Sequence, residues 1–521
     1  MKRLIKKKYV QALLLLGLVI LYFFLYKIYM LRVNAFGCFD DCNNFMGGYF
    51  LLHGKRLFSE IFFNHNPLMA YISLIVQFLT HPQNLYELIL RHRQALLLFS
   101  FVFNILLVIR FGVPAFAFTL FYELTKFYLF GDRFLAEPFI VYPLIYLVGL
   151  AWMKIQNEKI TMFDYVVSGI FTWFIVFMRE PYVPAALLMF LYILWNENIL
   201  KSKRWFHQNK NSLLSLGIFA VLSFLTLFLH DVKEFYFNVV TANIVLVGME
   251  SSHIGLGIFF YPIWLFFGGE WGHFRYIILS LDVLFIISSL ILIVKKYWRI
   301  VLLTWLLLGF LNIRYVEPGK AFYGAFHLLC WYGVFLFVSF MLLGYVYKKS
   351  KKFAYSMTFL YFCVLLFHMF SSSSFLHSKP DPHYELITNY GGPMQVGTVI
   401  ASLSGPHDTL FVDGFDDIIY WQSQRFSTYK YSWYTSLMPD HKKYLDARTE
   451  MFKESPPDFY YGSCPREKLP NYLLPDFAKD NYVRLFSDKK PTCLWVKKTK
   501  LGSIDSQQWK AAEMNRYYLP R

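Results

Sequence analysis

Charge is scarce in this chain. Only 16% of its 521 residues are Asp, Glu, Lys or Arg, against about 25% in a soluble globular protein. Cysteine is scarce as well, with 6 in the whole length, which excludes a small disulfide-stapled secreted domain. No phosphate-binding P-loop, G-x-G-x-x-G, C-x-x-C or serine-elbow pattern occurs. Those absences weaken nucleotide-driven and hydrolytic readings.

Apolar and aromatic residues fill the space. The chain is 56% hydrophobic and 21% aromatic, with 57 Phe and 38 Tyr, and its mean hydropathy is +0.39. Near-uninterrupted apolar runs of this length belong to a polytopic α-helical membrane protein, not to a soluble enzyme or a disordered chain. The net charge of +17 does not point to nucleic acid. Residues 371–521 hold 19 Lys/Arg and 17 Asp/Glu, which leaves 32 basic and 17 acidic residues in the first 370. Basic residues between apolar spans are what the positive-inside rule produces, and no folded basic face is visible.

A basic leader, residues 1–9, precedes an apolar stretch at 10–31 that lacks a cleavage site and is long enough to span. It reads as an uncleaved helix with the N-terminus in the cytoplasm. Further spans are expected near 67–80, 95–130 (one net crossing), 134–153, 163–178, 182–197, 212–230, 275–294, 299–316, 325–346 and 353–370. The basic loops at Arg91/Arg93, 154–159, 201–210, 295–299 and 348–352 are placed inside. The apolar piece 254–268 is then interfacial or re-entrant. About eleven crossings result, with 32–66, 131–137, 179–181, 231–274, 317–324 and the tail 371–521 outside.

The tail is different material. Short β-like runs at 408–414, 457–463 and 492–498 surround a helix-like run at 440–453, which predicts a small extracytoplasmic α/β domain over 371–521. Residues 1–370 form the membrane domain. Cys330 and Cys363 lie in apolar spans and read as small hydrophobes. Cys38 with Cys42, or Cys464 with Cys493, would bridge in an oxidising compartment; free thiols are the alternative.

The first outside loop, 32–66, carries the most chemistry. It reads Phe39-Asp40-Asp41-Cys42, then Leu51-Leu52-His53-Gly54, then Asn64-His65-Asn66-Pro67-Leu68. A carboxylate pair at a membrane surface, directly after a span, is a candidate functional site; the alternative is a pair that only solvates a loop. The order of acidic pair, L-x-G and H-x-P-L resembles the GT-C superfamily of membrane glycosyltransferases. The similarity is to the bacterial branch with protein O-mannosyltransferases and the lipid A aminoarabinose transferase. Asp40 falls on the family's first acidic position and Asp41 on its Glu. Leu52 and Gly54 match the L-x-G, and His65, Pro67 and Leu68 the H-x-P-L. Asn66 departs from the usual first Pro, and Glu60 replaces the usual Asp. Arg91 fits the Arg after the second span, Glu137 the second acidic motif, and Arg179 a basic residue at an outer helix end. Lys320-Ala-Phe-Tyr323 is similar to the basic-aromatic R-x-x-H-Y element, without its His.

The resemblance implies transfer of a sugar from a polyprenyl-phosphate donor to a glycan, lipid or protein acceptor outside the cytoplasm, with inversion. It implies Asp40 as general base, with Asp41 and Glu137 as its catalytic companions. Arg179, Lys320 and Tyr323 would bind the donor phosphate, on which negative charge grows. A basic residue at a helix end otherwise only snorkels to the interface. Some members use a divalent ion, Mg or Mn. Here Asp41, His65 and Glu137 would be its ligands, though a lone His in an aromatic loop is more often structural. A bacterial inner membrane is the expected location. Two other readings stand beside this one. A transporter or lipid-linked-sugar flippase would place ionisable residues near the bilayer midplane, with internal repeats, and no repeat is visible. An inactive scaffold of the same fold would not need Asp40.

Overall fold

The computed structural model describes residues 2–32, 41–195, 209–244, 274–294, 297–312, 325–347, 351–371, 391–414, 417–431, 442–464 and 474–520. The chain is mostly helical. Seven described helices are long and apolar enough to cross a membrane, at Tyr9–Leu31, Leu85–Phe111, Ala136–Ile155, Lys210–Phe228, Arg275–Val294, Phe326–Tyr347 and Lys351–Phe370. Contacts divide the molecule into two compact units.

The first unit gathers residues 1–33, 93–226 and 251–379. It holds α1 (Lys2–Arg32) and most of α4 (Leu85–Phe111). Then follow α5 (Val113–Thr125), α6 (Ala136–Ile155), α7 (Met162–Val176), α8 (Val183–Leu194) and α9 (Lys210–Phe228). Four more complete it: α10 (Phe274–Val294), α11 (Trp298–Leu311), α12 (Leu329–Tyr347) and α13 (Lys351–Phe370). Helices α6 and α12 are buried over nearly their whole length, which their all-round apolar sequences require. Helix α1 presents Leu13, Leu16, Val19, Ile20, Phe23 and Phe24 on its exposed face.

Side-chain pairs fix the direction of the helices. Gln11 of α1 donates to the carbonyl of Ile109, and Gln94 reaches Met30, so α1 and α4 run antiparallel. Arg110, at the end of α4, forks onto Asp164 at the start of α7 at 2.7 and 2.8 Å. Lys154, at the end of α6, donates to the last carbonyls of α8, those of Tyr192, Ile193 and Trp195.

These pairs correct two expectations. The run 95–130, expected as one net crossing, holds two helices, α4 and α5, whose Asn104 and Thr119 meet across a break at Gly112 alone, at φ +68. That backbone region is open only to glycine at low cost. Arg91 and Arg93 are not in a loop at the N-terminal end of α1. They lie within α4, and Gln94 beside them meets the C-terminal end of α1. Sequence hydropathy could not separate α4 from α5, because no charged cluster marks the turn.

The second unit gathers residues 34–92, 227–250 and 380–521. It contains α2 (Asp41–Leu52) and α3 (Leu68–Thr80), which pack closely together. A Cβ on Gly48 would stand 2.5 Å from Ser73 Oγ and 2.6 Å from the Leu74 nitrogen, so the two backbones meet where only glycine fits. Helix α3 has 13 residues. Its Gln77 donates to the Phe45 carbonyl and accepts from the indole of Trp421 in the tail. The expected span at 67–80 coincides with this helix, which falls in the second unit.

The tail contributes a five-stranded sheet, with β1 (Leu410–Val412), β2 (Phe459–Tyr461), β3 (Tyr482–Ser487), β4 (Lys490–Lys497) and β5 (Tyr517–Tyr518) in the order β1-β2-β4-β3-β5. The pair β1–β2 is parallel and the rest antiparallel. Three of these strands lie in the β-like runs of the sequence, and the helix Lys442–Glu454 falls in the helix-like one. Phe62 and Ala242 share a core with Phe411, Tyr444, Phe452 and Tyr460, so the tail packs with parts of two earlier segments. Cys464 and Cys493 form a disulfide. Cys42 is also disulfide-bonded. Cys330 and Cys363 are free, the first buried and the second exposed.

Candidate functional site

Of the residues singled out from the sequence, the structure brings Glu137 and Arg179 together. Glu137 lies in the first turn of α6, where a carboxylate is favoured by the helix dipole. Arg179 sits on the extended link between α7 and the 3-10 turn Glu180–Tyr182, whose Pro181 stops α7 from continuing. Arg179 Nε is 3.5 Å from Glu137 Oε1, and both side chains are at least 95% buried.

Two further groups close on the same oxygen. His327, in the 3-10 turn Ala325–Leu328 ahead of α12, places Nδ1 at 3.2 Å. The Tyr182 hydroxyl stands 3.5 Å away and also donates to the His327 carbonyl at 3.2 Å. With its proton on Nδ1 the imidazole donates to the carboxylate, which fixes the ring's orientation. Glu137 Oε2 is buried and has no hydrogen-bond partner among the described residues. The cluster thus combines a buried guanidinium, an imidazole in hydrogen-bond reach and a carboxylate oxygen with no hydrogen-bond partner among the described residues. His327 went unrecognised in the sequence, although it follows Lys320 by seven residues.

A second buried cluster lies inside the helices. Lys126 Nζ is 2.6 Å from Glu123 Oε2, and neither side chain is exposed. Glu123 Oε1 accepts from Tyr142 at 2.6 Å and from Asn104 at 3.0 Å. Asn104 also donates to Tyr22 and accepts from Thr119, which joins α1, α4, α5 and α6. Thr125 and Tyr332 share a hydrogen bond of 2.6 Å to α12. An acid and a base three residues apart in an apolar run were the available signal.

The other sequence candidates are spread. Asp41 opens α2 and is fully buried, with Asn43 and Asn44 buried beside it. His65 lies in the loop before α3, its ring edge-on to Phe63 at 6.2 Å. Both belong to the second unit, whereas Glu137 belongs to the first. Among the described residues no three His, Cys, Asp or Glu side chains come together as metal ligands. Asp40, Lys320 and Tyr323 lie outside the described residues. Against known proteins, no family model matches the chain, and neither a curated protein nor a solved structure matches it.

Proposed function

We propose that the protein is a GT-C-type membrane glycosyltransferase that moves a sugar from a polyprenyl-phosphate donor to an acceptor on the outer face of a bacterial inner membrane. In this reading α1 and α4–α13 make eleven crossings, the N-terminus is cytoplasmic, and the tail is an extracytoplasmic α/β domain. Arg110, Lys154 and Lys159 then lie inside, and Glu137, Arg179 and His327 outside. The observation that carries the reading is the meeting of Glu137 and Arg179. The family resemblance assigns one to the second acidic motif and the other to the donor phosphate, from positions 42 residues apart.

The chemistry follows from those groups. The acceptor hydroxyl attacks the anomeric carbon, and its proton passes to a carboxylate, with Asp40 in that role. The bond to the phosphate oxygen breaks, and Arg179 stabilises the charge that grows there. The test is sugar transfer in membranes holding matched amounts of wild type, Asp40→Asn and Glu137→Gln, with a panel of radiolabelled polyprenyl-phosphate sugars. Wild-type transfer that collapses in both variants supports the reading. Transfer untouched by Asp40→Asn removes that residue as the base.

One observation favours a second reading, a transporter or flippase. Glu123, Lys126 and Asp282 are ionisable groups buried within or at the end of apolar helices, where transport pathways place them. Movement of a fluorescent lipid-linked sugar across liposomes holding the protein, without any transfer, would select it.

A further inference from the structure

Asp282 is anomalous. It lies in the middle of α10, whose apolar window has the highest mean hydropathy of the seven long helices, at 2.8. The residue is 4% exposed. Both carboxylate oxygens are buried with no hydrogen-bond partner among the described residues. An unpaired carboxylate in such a place costs several kcal/mol, and removing it should relieve that cost. Its next neighbour, Val283, is 51% exposed, and Ile286 and Leu290, one and two turns on, are 49% and 57% exposed. Among the described residues an exposed apolar strip of α10 therefore runs beside the face that carries the carboxylate.

The surroundings narrow what could pair with it. Two residues back, the Ser280 hydroxyl donates to the Ile277 carbonyl, and the Ser280 carbonyl accepts from Tyr361 at 2.7 Å. These oxygens are engaged. Hard cations such as Ca²⁺ need about six or more oxygens, and no acidic or histidine cluster supplies them among the described residues. One turn on, Phe285 packs against Trp305 of α11 at 5.5 Å and Phe335 of α12 at 5.2 Å. Trp331 extends the aromatic group at 4.8 Å from Phe335. A carboxylate one helical turn from an aromatic cluster suits a bulky, weakly hydrated organic cation.

We propose that Asp282 is a binding site, inside the helical unit, for the ammonium group of an amphiphilic amine that enters from the lipid. The amine head pairs with the carboxylate against the Phe285 ring, and its alkyl chain lies along the apolar face of α10. Nothing in the proposed sugar transfer uses this residue.

The experiment uses full-length protein in lipid nanodiscs and hexyltrimethylammonium as the probe, with hexanol and sodium chloride as controls. The unfolding temperature and saturable binding of labelled probe are read for wild type, Asp282→Asn and Asp282→Leu. In wild type the probe binds saturably and raises the unfolding temperature, while hexanol and sodium do not. Asp282→Asn weakens binding by at least about tenfold, the loss of roughly one ion pair. Without probe, both variants unfold at or above the wild-type temperature. Binding unchanged in Asp282→Asn, an equal response to hexanol, or the same response to sodium alone each overturns the proposal. So does a lower unfolding temperature in both variants, which would give the carboxylate a structural partner. Absence of saturable binding in wild type would leave it to a proton alone and also overturn the proposal.

Discussion

Each unit buries an acid–arginine pair, and the two pairs are built differently. In the second unit Asp413, just past β1, accepts on Oδ2 from Arg448 Nε at 3.0 Å, from Arg448 Nη2 at 2.5 Å and from the Tyr460 hydroxyl at 3.1 Å. Burial draws the Arg448 guanidinium down, but the Asp413 charge and hydrogen bonds hold it above its ordinary range. In the first unit Glu137 meets Arg179 at 3.5 Å, with longer contacts and one carboxylate oxygen left without a partner among the described residues. The first pair is short and sets three donors on one carboxylate oxygen, which suits a contact that holds a fold together. The second is looser and leaves one oxygen without a partner among the described residues, which the proposed uptake of a substrate hydroxyl would need.

Breaking each pair tests that distinction. Arg448→Ala should cost the second unit about 3–5 kcal/mol, because it strands a buried carboxylate. Hydrogen exchange in β1 and β2 would report it. Glu137→Gln should act mainly on chemistry, lowering sugar transfer at least about 100-fold with a much smaller fall in unfolding temperature than Arg448→Ala. If transfer survives and stability falls as far, the two pairs are the same kind of object. Gly48→Ala should cost about 1–3 kcal/mol through forced separation of α2 and α3, seen as earlier melting of the second unit alone.

The smallest effect concerns acid. His230 stands between Phe58, Phe235 and Tyr71, and burial lowers its pKa from 6.5 to about 4. The neutral ring is therefore the one the fold accepts. Its contribution is complete above pH 6.5 and is lost as pH falls towards 4, because the unfolded chain binds the proton first. Protection of the 227–244 segment should decline over that window, and His230→Phe should flatten the decline.

Composition made the helical, membrane-like character legible, since 56% hydrophobic residues leave few alternatives. Alternation in the tail located strands as short as Phe459–Tyr461. The break between α4 and α5 was hidden because one glycine makes it. At the site, the acidic and basic positions Glu137 and Arg179 could be read from local patterns, but their contact could not. It arises from the packing of α6 against the α7–α8 link. His327 depends on a partner 190 residues away, and no local pattern encodes such a distance, whereas the Glu123–Lys126 pair lies three residues apart and was open to a local reading.

The single-residue turn at Gly112 also has a bearing on how the chain is made. Helices α4 and α5 are tied so tightly that a bilayer-insertion machine handling them singly would meet Glu123 with neither Asn104 nor Tyr142 in place. Released together, residues 85–125 bring Asn104 to Glu123 within one piece of nascent chain, and Lys126 follows immediately to neutralise it. Biosynthesis of this region is then a matter of loading a hairpin, and lengthening the turn should slow assembly before it disturbs the finished protein.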